Sequence, residues 1–495
     1  MKKGQITELT IEDMSAEGAG IGRAVTEENP GEGLVVFVQG TVPGDKVTAE
    51  LTKVKKRYAI GRLVDVLEES PDRRSEDEIC PYLSRCGGCS MGALRYGRQA
   101  ALKEQQVKSK LEHLGKVDFE KETVFNPIIT SEEVGYRNKA SMAVSTGGYI
   151  TEKGGIRRPV HEPRIGFRVR KSHEVVDCGF CRIQKDTVMA AAEALRRFME
   201  EDGICSFDRR WGKGLMEAMT VRTAEGTGEV MVILHIHGKG IPGAPKLIRY
   251  LDEYIYEAGG SLESVAIRRL DGSHGEEIQI IAGAPVIIDE IPHPADPERV
   301  LTFEISPDSF YQVNSRQMIN LYDKVRGYAF HDGCDNPVIL DLYCGIGTIG
   351  LYLADRAEAV LGIEVVPDGV RDANRNAVIN RVVNARYVCA KAEEFIPQAL
   401  EGTSGEDKEL EELVGRADVA ILDPPRAGAG RELLEAISRA GIDRIVYVSC
   451  DPATLARDIA YLREEGYILK EVTPVDMFCE TGHVECCSLL ARSSR

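Results

Sequence analysis

A lone thiol near the C-terminus stands where an apolar run gives way to a helical pattern. The segment YVSCDPATLARD places Cys450 at this junction, followed by Asp451 and Pro452. A cysteine is often only a small apolar filler. At the start of a helix, however, the dipole and the free N–H groups favour the thiolate, which is a nucleophile. The segment by itself therefore allows two interpretations, a buried filler or an activated nucleophile with a lowered pKa.

A glycine-rich turn between a strand and a helix predicts a cofactor site. VILDLYCGIGTIGL (338–351) places Gly345 and Gly347 where the backbone can approach a ligand at the carboxyl end of a strand. The pattern is not GxGxxG, so a dinucleotide fits poorly. The next strand, AVLGIEVV, ends near Glu364, where an acid typically binds the hydroxyls of a ribose. Turn and acid together resemble the S-adenosylmethionine site of class I methyltransferases.

A third strand of this region ends in an acidic, proline-stiffened loop. ILDPPRAG (421–428) carries Asp423 followed by two prolines, which restrict the backbone. A rigid loop at the strand ends can line a cofactor or hold a planar base. The alternative is an ordinary surface turn.

A cluster of cysteines earlier in the chain predicts a metal site. CPYLSRCGGC spaces Cys80, Cys86 and Cys89 as C-x5-C-x2-C, and VVDCGFCRIQ offers Cys178 or Cys181 as a fourth thiolate. The start of the chain has no apolar core of signal-peptide length, and no stretch is apolar enough to span a bilayer. We therefore expect a cytoplasmic protein with reduced thiols and no membrane contact. The thiolate count allows either zinc or a [4Fe-4S] cluster.

The charge of the chain is uneven. The net charge of −17 over 495 residues argues against a generic nucleic-acid binder. Two basic stretches nevertheless flank the cysteines, with six Lys and Arg in 95–116 and nine in 153–185. They are either solvated faces or a surface that grips phosphates. GGYITEKGGIRRPVHEPRIGF (147–167) is a candidate for a lengthened loop near the substrate.

The order of the elements predicts an α/β protein in three parts. Residues 1–66 contain short strands with glycine-rich turns, including AEGAGIGR (16–23), which is typical of a small barrel of the oligonucleotide-binding kind. Residues 67–300 mix strands and helices and form a central α+β domain that carries the cysteines. Residues 301–495 alternate apolar strands and helices, which indicates a doubly wound, Rossmann-like domain.

The motifs in their order resemble one family over nearly the whole chain. DLYCGIG, ILDPPR and VSCDPATLARD, together with SFYQVNSRQ, YRNKAS and TGHVE, are similar to the TrmA/RumA-like RNA uracil-5-methyltransferases. The N-terminal barrel resembles a TRAM domain, which is an RNA-binding module. The cysteine cluster resembles that of the iron–sulfur members, which include a 23S rRNA enzyme.

The resemblance implies a role for each matching residue. Cys450 corresponds to the nucleophile that adds to C6 of uracil, and Glu485 to the general base that removes the proton from C5. S-adenosylmethionine is the implied methyl donor, and the target uridine is expected to leave its stack. Cys181 is the implied fourth ligand of a [4Fe-4S] cluster, beside Cys80, Cys86 and Cys89. The residues expected to line the cofactor and substrate pocket are Gln312, Tyr343, Gly345, Gly347, Glu364 and Asp423.

The expected function is methylation of specific uridines in 23S rRNA by a monomer with no obligate protein partner. One alternative is a transfer RNA uracil-5-methyltransferase, against which the cysteine cluster and the barrel argue. Another is an inactive RNA-binding assembly factor, which the intact Cys450 and Glu485 disfavour. A radical methylase is disfavoured because the cysteine spacing is not CxxxCxxC.

Overall fold

The computed structural model of the chain describes all residues except 16, 27–28, 147–148, 152–156, 160–161, 171, 271–276, 332–335, 406 and 493–495. Parts of the candidate loop 147–167 therefore lie outside the described residues. Among the helices that are described, none is long and apolar enough to cross a membrane.

The N-terminal part forms a closed five-stranded barrel with the strand order β1-β2-β3-β5-β4, which confirms the predicted fold. Its strands are β1 (Ile6–Met14), β2 (Ala19–Thr26), β3 (Asn29–Gln39), β4 (Lys46–Val54) and β5 (Tyr58–Glu68). The reading of AEGAGIGR as a turn is wrong for most of that segment, because β2 begins within it. A Cβ on Gly20 would lie 2.1 Å from Thr41 Oγ1, and one on Gly22 would lie 2.7 Å from Thr10 O. Glycine is needed at these two positions because neighbouring atoms leave no room for a side chain there.

The central part is a seven-stranded sheet with helices on one face. The chain first forms α1 (Tyr96–His113) and the short β6 (Val124–Phe125). The sheet has the order β11-β10-β7-β12-β13-β14-β15. The core between the sheet and helices α2 and α3 is made of aliphatic side chains such as Met142, Val232 and Leu195. The remaining elements of this part are β7 (Lys139–Thr146), β8 (Tyr149–Thr151), β9 (Arg157–Pro159), β10 (Pro163–Arg168), β11 (Val175–Asp177), α2 (Asp186–Asp202), β12 (Met216–Thr223), β13 (Glu229–Ile236), α3 (Ala244–Glu257), β14 (Ser261–Arg269) and β15 (Glu277–Gly283).

The C-terminal part is a doubly wound sheet with helices on both faces, as the alternating pattern predicts. The strands β18, β19, β20, β21 and β22 are parallel, and the last strand, β24, runs antiparallel to β22. A hairpin of β16 (Ile287–His293) and β17 (Asp296–Ile305) precedes it. The other elements are α4 (Ser315–Ala329), β18 (Val338–Leu342), α5 (Thr348–Leu353), β19 (Ala359–Glu364), α6 (Pro367–Ile379), β20 (Ala385–Cys389), α7 (Ala392–Glu401), α8 (Lys408–Gly415), β21 (Val419–Leu422), α9 (Arg431–Arg439), β22 (Arg444–Ser449), α10 (Pro452–Glu464), β23 (Tyr467–Val475) and β24 (Glu485–Arg492).

Residues from before the central sheet also belong to this C-terminal layer. The strand β6 adds to its edge by pairing in parallel with β23, and α1 packs against α10. The C-terminal sheet is therefore completed by residues that lie more than 300 positions earlier in the chain, as the pairing of Val124 with Glu471 illustrates. This arrangement brings α1 beneath the turn that joins β23 to β24.

Candidate active site

The antiparallel pairing of β22 and β24 brings two of the sequence-predicted catalytic residues together. Ser449 and Cys486 are register partners at the end of the ladder. Continuing that register by one residue in each strand places Cys450 beside Glu485. Because β21 and β22 are parallel neighbours, Asp423, which directly follows β21, lies at the same edge.

Cys450 lies at the N-terminus of α10, as its sequence context predicts. The side chain of Asp451 caps this helix by accepting hydrogen bonds from the N–H groups of Ala453 (2.8 Å) and Thr454 (3.4 Å). The expectation of a lowered thiol pKa is wrong for this structure. Burial, followed by the nearby carboxyl groups of Glu485 and Asp423, raises the pKa of Cys450 to about 11. Burial of the thiol and the two acids close by thus outweigh the effect of the helix terminus.

Glu485 is a buried acid in an apolar strand. Its side chain belongs to a residue only 2% exposed, and its Oε1 has no hydrogen-bond partner among the described residues. Burial and then the neighbouring Asp423 raise the pKa of Glu485 well above its ordinary value. A carboxyl group held in this way can accept a proton at a pH near neutrality, which suits a general base.

Asp423 and Gln312 form a polar pair at this edge of the sheet. Gln312 Nε2 donates a hydrogen bond to Asp423 Oδ2 over 3.3 Å. Burial raises the pKa of Asp423 to about 7, although the hydrogen bond from Gln312 opposes the shift. An amide and a carboxyl group side by side can offer both hydrogen-bond donors and acceptors to a bound molecule.

The loop that carries Asp423 is braced from α10. Tyr447 Oη donates to Asp458 Oδ2 over 2.6 Å, and the N–H of Ala429 donates to the same oxygen over 2.9 Å. Arg457 Nη2 donates to the carbonyl of Ala427 over 2.9 Å. The loop 423–429 is therefore fixed by hydrogen bonds as well as by its two prolines.

The glycine-rich turn after β18 has the backbone conformation that its sequence predicts. Gly345 and Gly347 have φ values of 55° and 80°, and Tyr343 adopts φ 63°, which is rare for a residue with a side chain. The N–H of Gly345 donates to Glu364 Oε2 over 3.1 Å. A Cβ on Gly345 would meet nothing within 4 Å, whereas one on Gly347 would lie 2.6 Å from Tyr387 Oη. Gly345 therefore leaves open space above the turn, and Gly347 permits close packing beneath it.

One cavity connects this turn with the polar pair. Its lining includes Gln312, Tyr343, Gly345 and Asp423. Glu364 does not itself line the cavity, but its carboxylate accepts a hydrogen bond from the N–H of Gly345, which does. Four of the six residues that the sequence assigns to the pocket thus line this cavity, and Gly347 and Glu364 lie in the adjoining turn and strand end. Cys450 and Glu485 are neighbours of Asp423 but are not among the lining residues.

Several side chains of this cavity were not predicted from the sequence. Phe310 is 64% exposed at its rim, and Tyr311, Tyr322 and Thr348 line its wall. Tyr322 and Thr348 are joined by a hydrogen bond of 2.7 Å between their hydroxyl groups. The segment SFYQVNSRQ contained the signal for Phe310 and Tyr311, since aromatic residues flank Gln312 there. Nothing in the sequence linked Tyr322 to the turn.

Buried ion pairs hold the turn between β23 and β24, which delivers Glu485. Lys103 Nζ of α1 donates to Asp476 Oδ1 over 2.7 Å and to Phe478 O over 3.0 Å, and both side chains of the ion pair are 0% exposed. Arg74 Nη1 donates to both carboxylate oxygens of Glu480, over 2.8 and 2.9 Å. Glu480 has a left-handed backbone with φ 67°. The turn is thus held in a conformation that it would not adopt alone.

The four cysteines assigned to a metal site line a second cavity, of about 260 Å³. They are Cys80, Cys86, Cys89 and Cys181, and Cys178 lines it as well. Across the described residues, no group of three His, Cys, Asp or Glu side chains is placed to hold a single metal ion. The loop bearing Cys89 contacts the active-site turn, because the N–H groups of Ser90 and Met91 both donate to Glu480 O over 2.9 Å.

Comparisons with known proteins identify the two ends of the chain. Residues 289–493 match the family model described as tRNA (Uracil-5-)-methyltransferase, and residues 1–64 match the TRAM domain. A relative from Halalkalibacterium halodurans, named as an uncharacterized RNA methyltransferase, is 34% identical over 99% of this chain and 98% of its own. A relative of the same description from Caldanaerobacter subterraneus subsp. tengcongensis is 38% identical over 99% of each chain.

A solved structure matches the whole fold. It is the tRNA (uracil-54, C5)-methyltransferase of Pyrococcus abyssi in complex with S-adenosyl-L-homocysteine, with a TM-score of 0.71 and 26% identity over 98% of this chain and 99% of that one. The barrel, the doubly wound sheet and these full-length relatives agree with one another. The chain therefore belongs to the TrmA/RumA-like family of RNA uracil-5-methyltransferases and has the fold of an S-adenosylmethionine-dependent enzyme.

Proposed function

We propose that the protein transfers a methyl group from S-adenosylmethionine to C5 of specific uridines in 23S rRNA through a covalent adduct with Cys450. The observation that carries this proposal is the strand register that places Cys450 beside Glu485, with Asp423 and Gln312 at the same edge. In this proposal, residues 1–66 form an RNA-binding barrel and residues 67–300 form a central RNA-binding domain with the cysteine cluster. Residues 301–495 form the methyltransferase domain.

The reaction needs a nucleophile because C5 of uracil is too weak to attack a sulfonium. The thiolate of Cys450 adds to C6, and the electron pair of the C5–C6 double bond moves into an enolate with carbanion character at C5. C5 then attacks the methyl carbon, and the S–CH₃ bond breaks with its electrons passing to sulfur. The carboxylate of Glu485 removes the proton from C5, the C5–C6 double bond re-forms, and the thiolate leaves C6.

The electrostatics of the pocket suit a nucleophile that is active only with its substrates bound. Burial of the thiol, followed by the nearby acids Glu485 and Asp423, raises the pKa of Cys450 and so holds it as a thiol in the free protein. The methyl donor carries a positive charge, which lowers the pKa of any acid close to it. Binding of the donor next to Asp423 therefore favours both the thiolate of Cys450 and the carboxylate of Glu485.

The remaining pocket residues bind the two substrates. Glu364, at the end of β19, is placed to accept from the ribose hydroxyls of the methyl donor, and Gly345 leaves room above the turn. Gln312 and Asp423 contact the flipped uracil. The ring of Phe310, exposed at the rim, offers a surface on which the base can stack.

A [4Fe-4S] cluster held by Cys80, Cys86, Cys89 and Cys181 is part of this proposal. A single zinc ion would draw thiolates to about 2.3 Å from one point, and the described cysteines are not arranged in that way. The four thiolates around a [4Fe-4S] cluster lie further apart than those around one zinc ion. Cysteines that line one shared cavity therefore fit a cluster better than a single ion. Cys178, which directly follows β11, donates a hydrogen bond of 3.3 Å from Sγ to Val176 O of that strand, which favours Cys181 as the fourth ligand. The cluster would supply a structural crosslink among these loops, because methyl transfer needs no electron.

The choice between the two cysteines can be tested on protein purified without oxygen. We expect the Cys181→Ala protein to lose its bound iron and sulfide and the visible absorption of the cluster. The Cys178→Ala protein, as the matched control, should keep them. Retention of four irons by Cys181→Ala would refute this ligand set, and stoichiometric zinc in the wild type would refute the cluster.

A transfer RNA substrate is the second candidate. It is favoured by the solved relative of Pyrococcus abyssi, which is a tRNA (uracil-54, C5)-methyltransferase and covers almost the entire chain. Both candidates use the same pocket and the same chemistry. They differ only in which RNA the barrel and the central domain admit.

The decisive experiment incubates the protein with S-adenosylmethionine and either unmodified 23S rRNA or transfer RNA, and maps 5-methyluridine by mass spectrometry. We expect methylation at discrete ribosomal uridines and none with Cys450→Ala. Methylation of transfer RNA alone would overturn the ribosomal substrate but leave the mechanism intact. Methylation of neither RNA by a folded protein that binds RNA would favour an assembly factor without catalytic activity.

A further inference from the structure

The single tryptophan of the chain lies at the tip of a hairpin in the central domain. Trp211 belongs to the segment FDRRWGKG (207–214) and is 58% exposed. The segment lies between α2 and β12, and the pairing of Asp208 with Lys213 holds its two arms together. Large rings with one polar atom are enriched where a protein meets a partner. The exposed indole therefore calls for an explanation other than the stability of the fold.

Hydrogen bonds fix the tip of this hairpin in one conformation. The N–H of Asp208 donates to Lys213 O over 2.8 Å, and the N–H groups of Trp211 and Gly212 donate to Asp208 O over 3.2 and 2.8 Å. The carboxylate of Asp208 accepts from the N–H of Arg210 over 2.8 Å. The indole is thus carried on a preorganised turn, which reduces the conformational entropy that a ligand has to overcome on binding.

The charges around the indole favour an anionic partner. Arg209, Arg210 and Lys213 are exposed, and Arg209 forms an ion pair with Glu217. Among the described residues, neither Arg210 nor Lys213 has a carboxylate within ion-pair distance. The one acid of the segment, Asp208, is engaged within the turn. Cations beside an exposed aromatic ring are typical of surfaces that bind single-stranded nucleic acid, and they would oppose contact with an apolar protein surface.

A groove of about 580 Å³ lies beside the hairpin. Its lining includes Arg209 and Arg210 of the hairpin, Ser145 and Thr146 at the end of β7, and His173. This volume is in the range of sites that hold small organic groups. A nucleotide whose base stacks on the indole therefore has room next to the hairpin.

Strand β7 sets the distance between this hairpin and the uridine pocket. At its start, Asn138 donates from Nδ2 to Gln312 O over 2.8 Å. At its end, the N–H of Thr146 donates over 2.8 Å to Oγ of Ser206, which pairs with the first residue of β12 at the base of the hairpin. The eight residues from 138 to 146 advance the strand by about 26 Å. The hairpin therefore meets an RNA strand several nucleotides away from the target uridine.

We propose that Trp211 stacks on an unpaired base of the substrate RNA, several nucleotides from the target uridine, and so contributes to the choice of RNA. The inference rests on the proposed function, which puts the target uridine in the pocket of Gln312. An indole accepts any base, because every base has a π-face. The contact therefore recognises an unpaired base at a fixed distance from the target and not the identity of that base. RNA loops of different shape present unpaired bases at different distances, so this contact separates one RNA from another.

Fluorescence gives a direct test, because Trp211 is the only tryptophan and the indole emission reports on this one side chain. The full-length protein, purified without oxygen, is titrated with transcribed 23S rRNA and with transfer RNA, while filter binding follows complex formation. We expect the substrate RNA to quench the emission in step with binding and to protect the indole from acrylamide. N-acetyltryptophanamide with the same RNA controls for light that the RNA absorbs. Unchanged emission and unchanged acrylamide quenching at saturating RNA would overturn the inference.

Substitutions distinguish stacking from a structural role. Trp211→Leu should weaken binding of the substrate RNA about 5- to 150-fold, as for the loss of one stacked base, and Trp211→Phe should recover most of the affinity. Tyr256→Leu is the matched control, because it removes another aromatic ring that is 78% exposed, near the end of α3. It should leave the affinity unchanged, and all three variants should melt at the temperature of the wild type. Equal losses of affinity in Trp211→Leu and Trp211→Phe, or a loss accompanied by a lower melting temperature, would contradict stacking.

Abasic substitution locates the contacted base. Single abasic sites are placed in turn along a short synthetic RNA that the protein binds. At one position, several nucleotides from the methylated uridine, loss of the base should weaken binding by the wild type but cause no further loss in Trp211→Leu. Methylation at the normal rate without any such position would overturn the inference and leave the proposed function standing. A position coupled to Trp211 in a protein that methylates neither RNA would do the reverse.

Discussion

The buried ion pair of Lys103 and Asp476 allows a sharp test of how the active-site turn is held. Both side chains are 0% exposed, and the Oδ2 of Asp476 has no hydrogen-bond partner among the described residues. Lys103→Met leaves an uncompensated carboxylate in the core, which typically costs about 3–5 kcal/mol. For a unit of the size of the C-terminal domain, that corresponds to a fall of about 6–20 °C in its melting temperature.

The double variant Lys103→Met/Asp476→Asn is the matched control. It removes both charges together and keeps an acceptor for the N–H of Phe478, which donates to Asp476 Oδ1 over 3.2 Å. Because no buried charge remains unpaired, the double variant should be more stable than either single variant. Calorimetry of the three proteins and the wild type gives the comparison.

Turnover supplies an independent readout. The turn that Lys103 holds leads directly to Glu485, so we expect kcat for methyl transfer to fall in Lys103→Met with little change in KM for S-adenosylmethionine. A single variant as stable and as active as the wild type would refute the role of this pair. If the loss of stability in the double variant equals the sum of the losses in the two single variants, the electrostatic reasoning is refuted.

Three further predictions follow from the site and the barrel. Glu485→Gln should accumulate a methylated RNA–protein adduct that resists denaturing gel electrophoresis, since deprotonation of C5 must precede release of Cys450; absence of that band would argue against Glu485 as the base. Asp423→Asn removes an acid that raises the pKa of Glu485, so the acid limb of the pH–rate profile should move to lower pH, and a shift to higher pH would contradict the stated cause. Gly20→Ala should destabilise the barrel by about 1–3 kcal/mol in thermal unfolding because its Cβ would overlap Thr41, whereas Gly97→Ala, with open space around it in α1, should not lower stability.

Much of the C-terminal fold could be predicted because its strands are buried on both faces. Such strands appear in the sequence as continuous apolar runs, and β18, β19, β21 and β22 follow that pattern. The strand β2 could not be recognised in the same way. Its glycines, which usually indicate a turn, are needed in the barrel to let neighbouring strands approach.

The positions of the candidate site residues could be predicted better than their electrostatics. The motifs placed Cys450, Asp423 and Glu364 at strand ends, and parallel strands bring such ends together. The pKa of Cys450 depends instead on Glu485, which comes from an antiparallel strand 35 residues later, and no local pattern encodes that register. The partner of Asp476 is 373 residues away, in a helix where a lysine normally indicates a solvated face.

The hydrogen bonds around Glu480 join the cysteine loop to the turn that leads to Glu485, the proposed base. The backbone carbonyl of Glu480 accepts from Ser90 and Met91, next to Cys89, while its carboxylate is held by Arg74. Glu485 lies only five residues further along the same turn. A crosslink that fixes Cys89 would therefore also fix the turn from which β24 begins. In the proposed mechanism, the proposed cluster would therefore have a structural role, because the position of Glu485 relative to the C5 proton would depend on how firmly the cysteine loop is held.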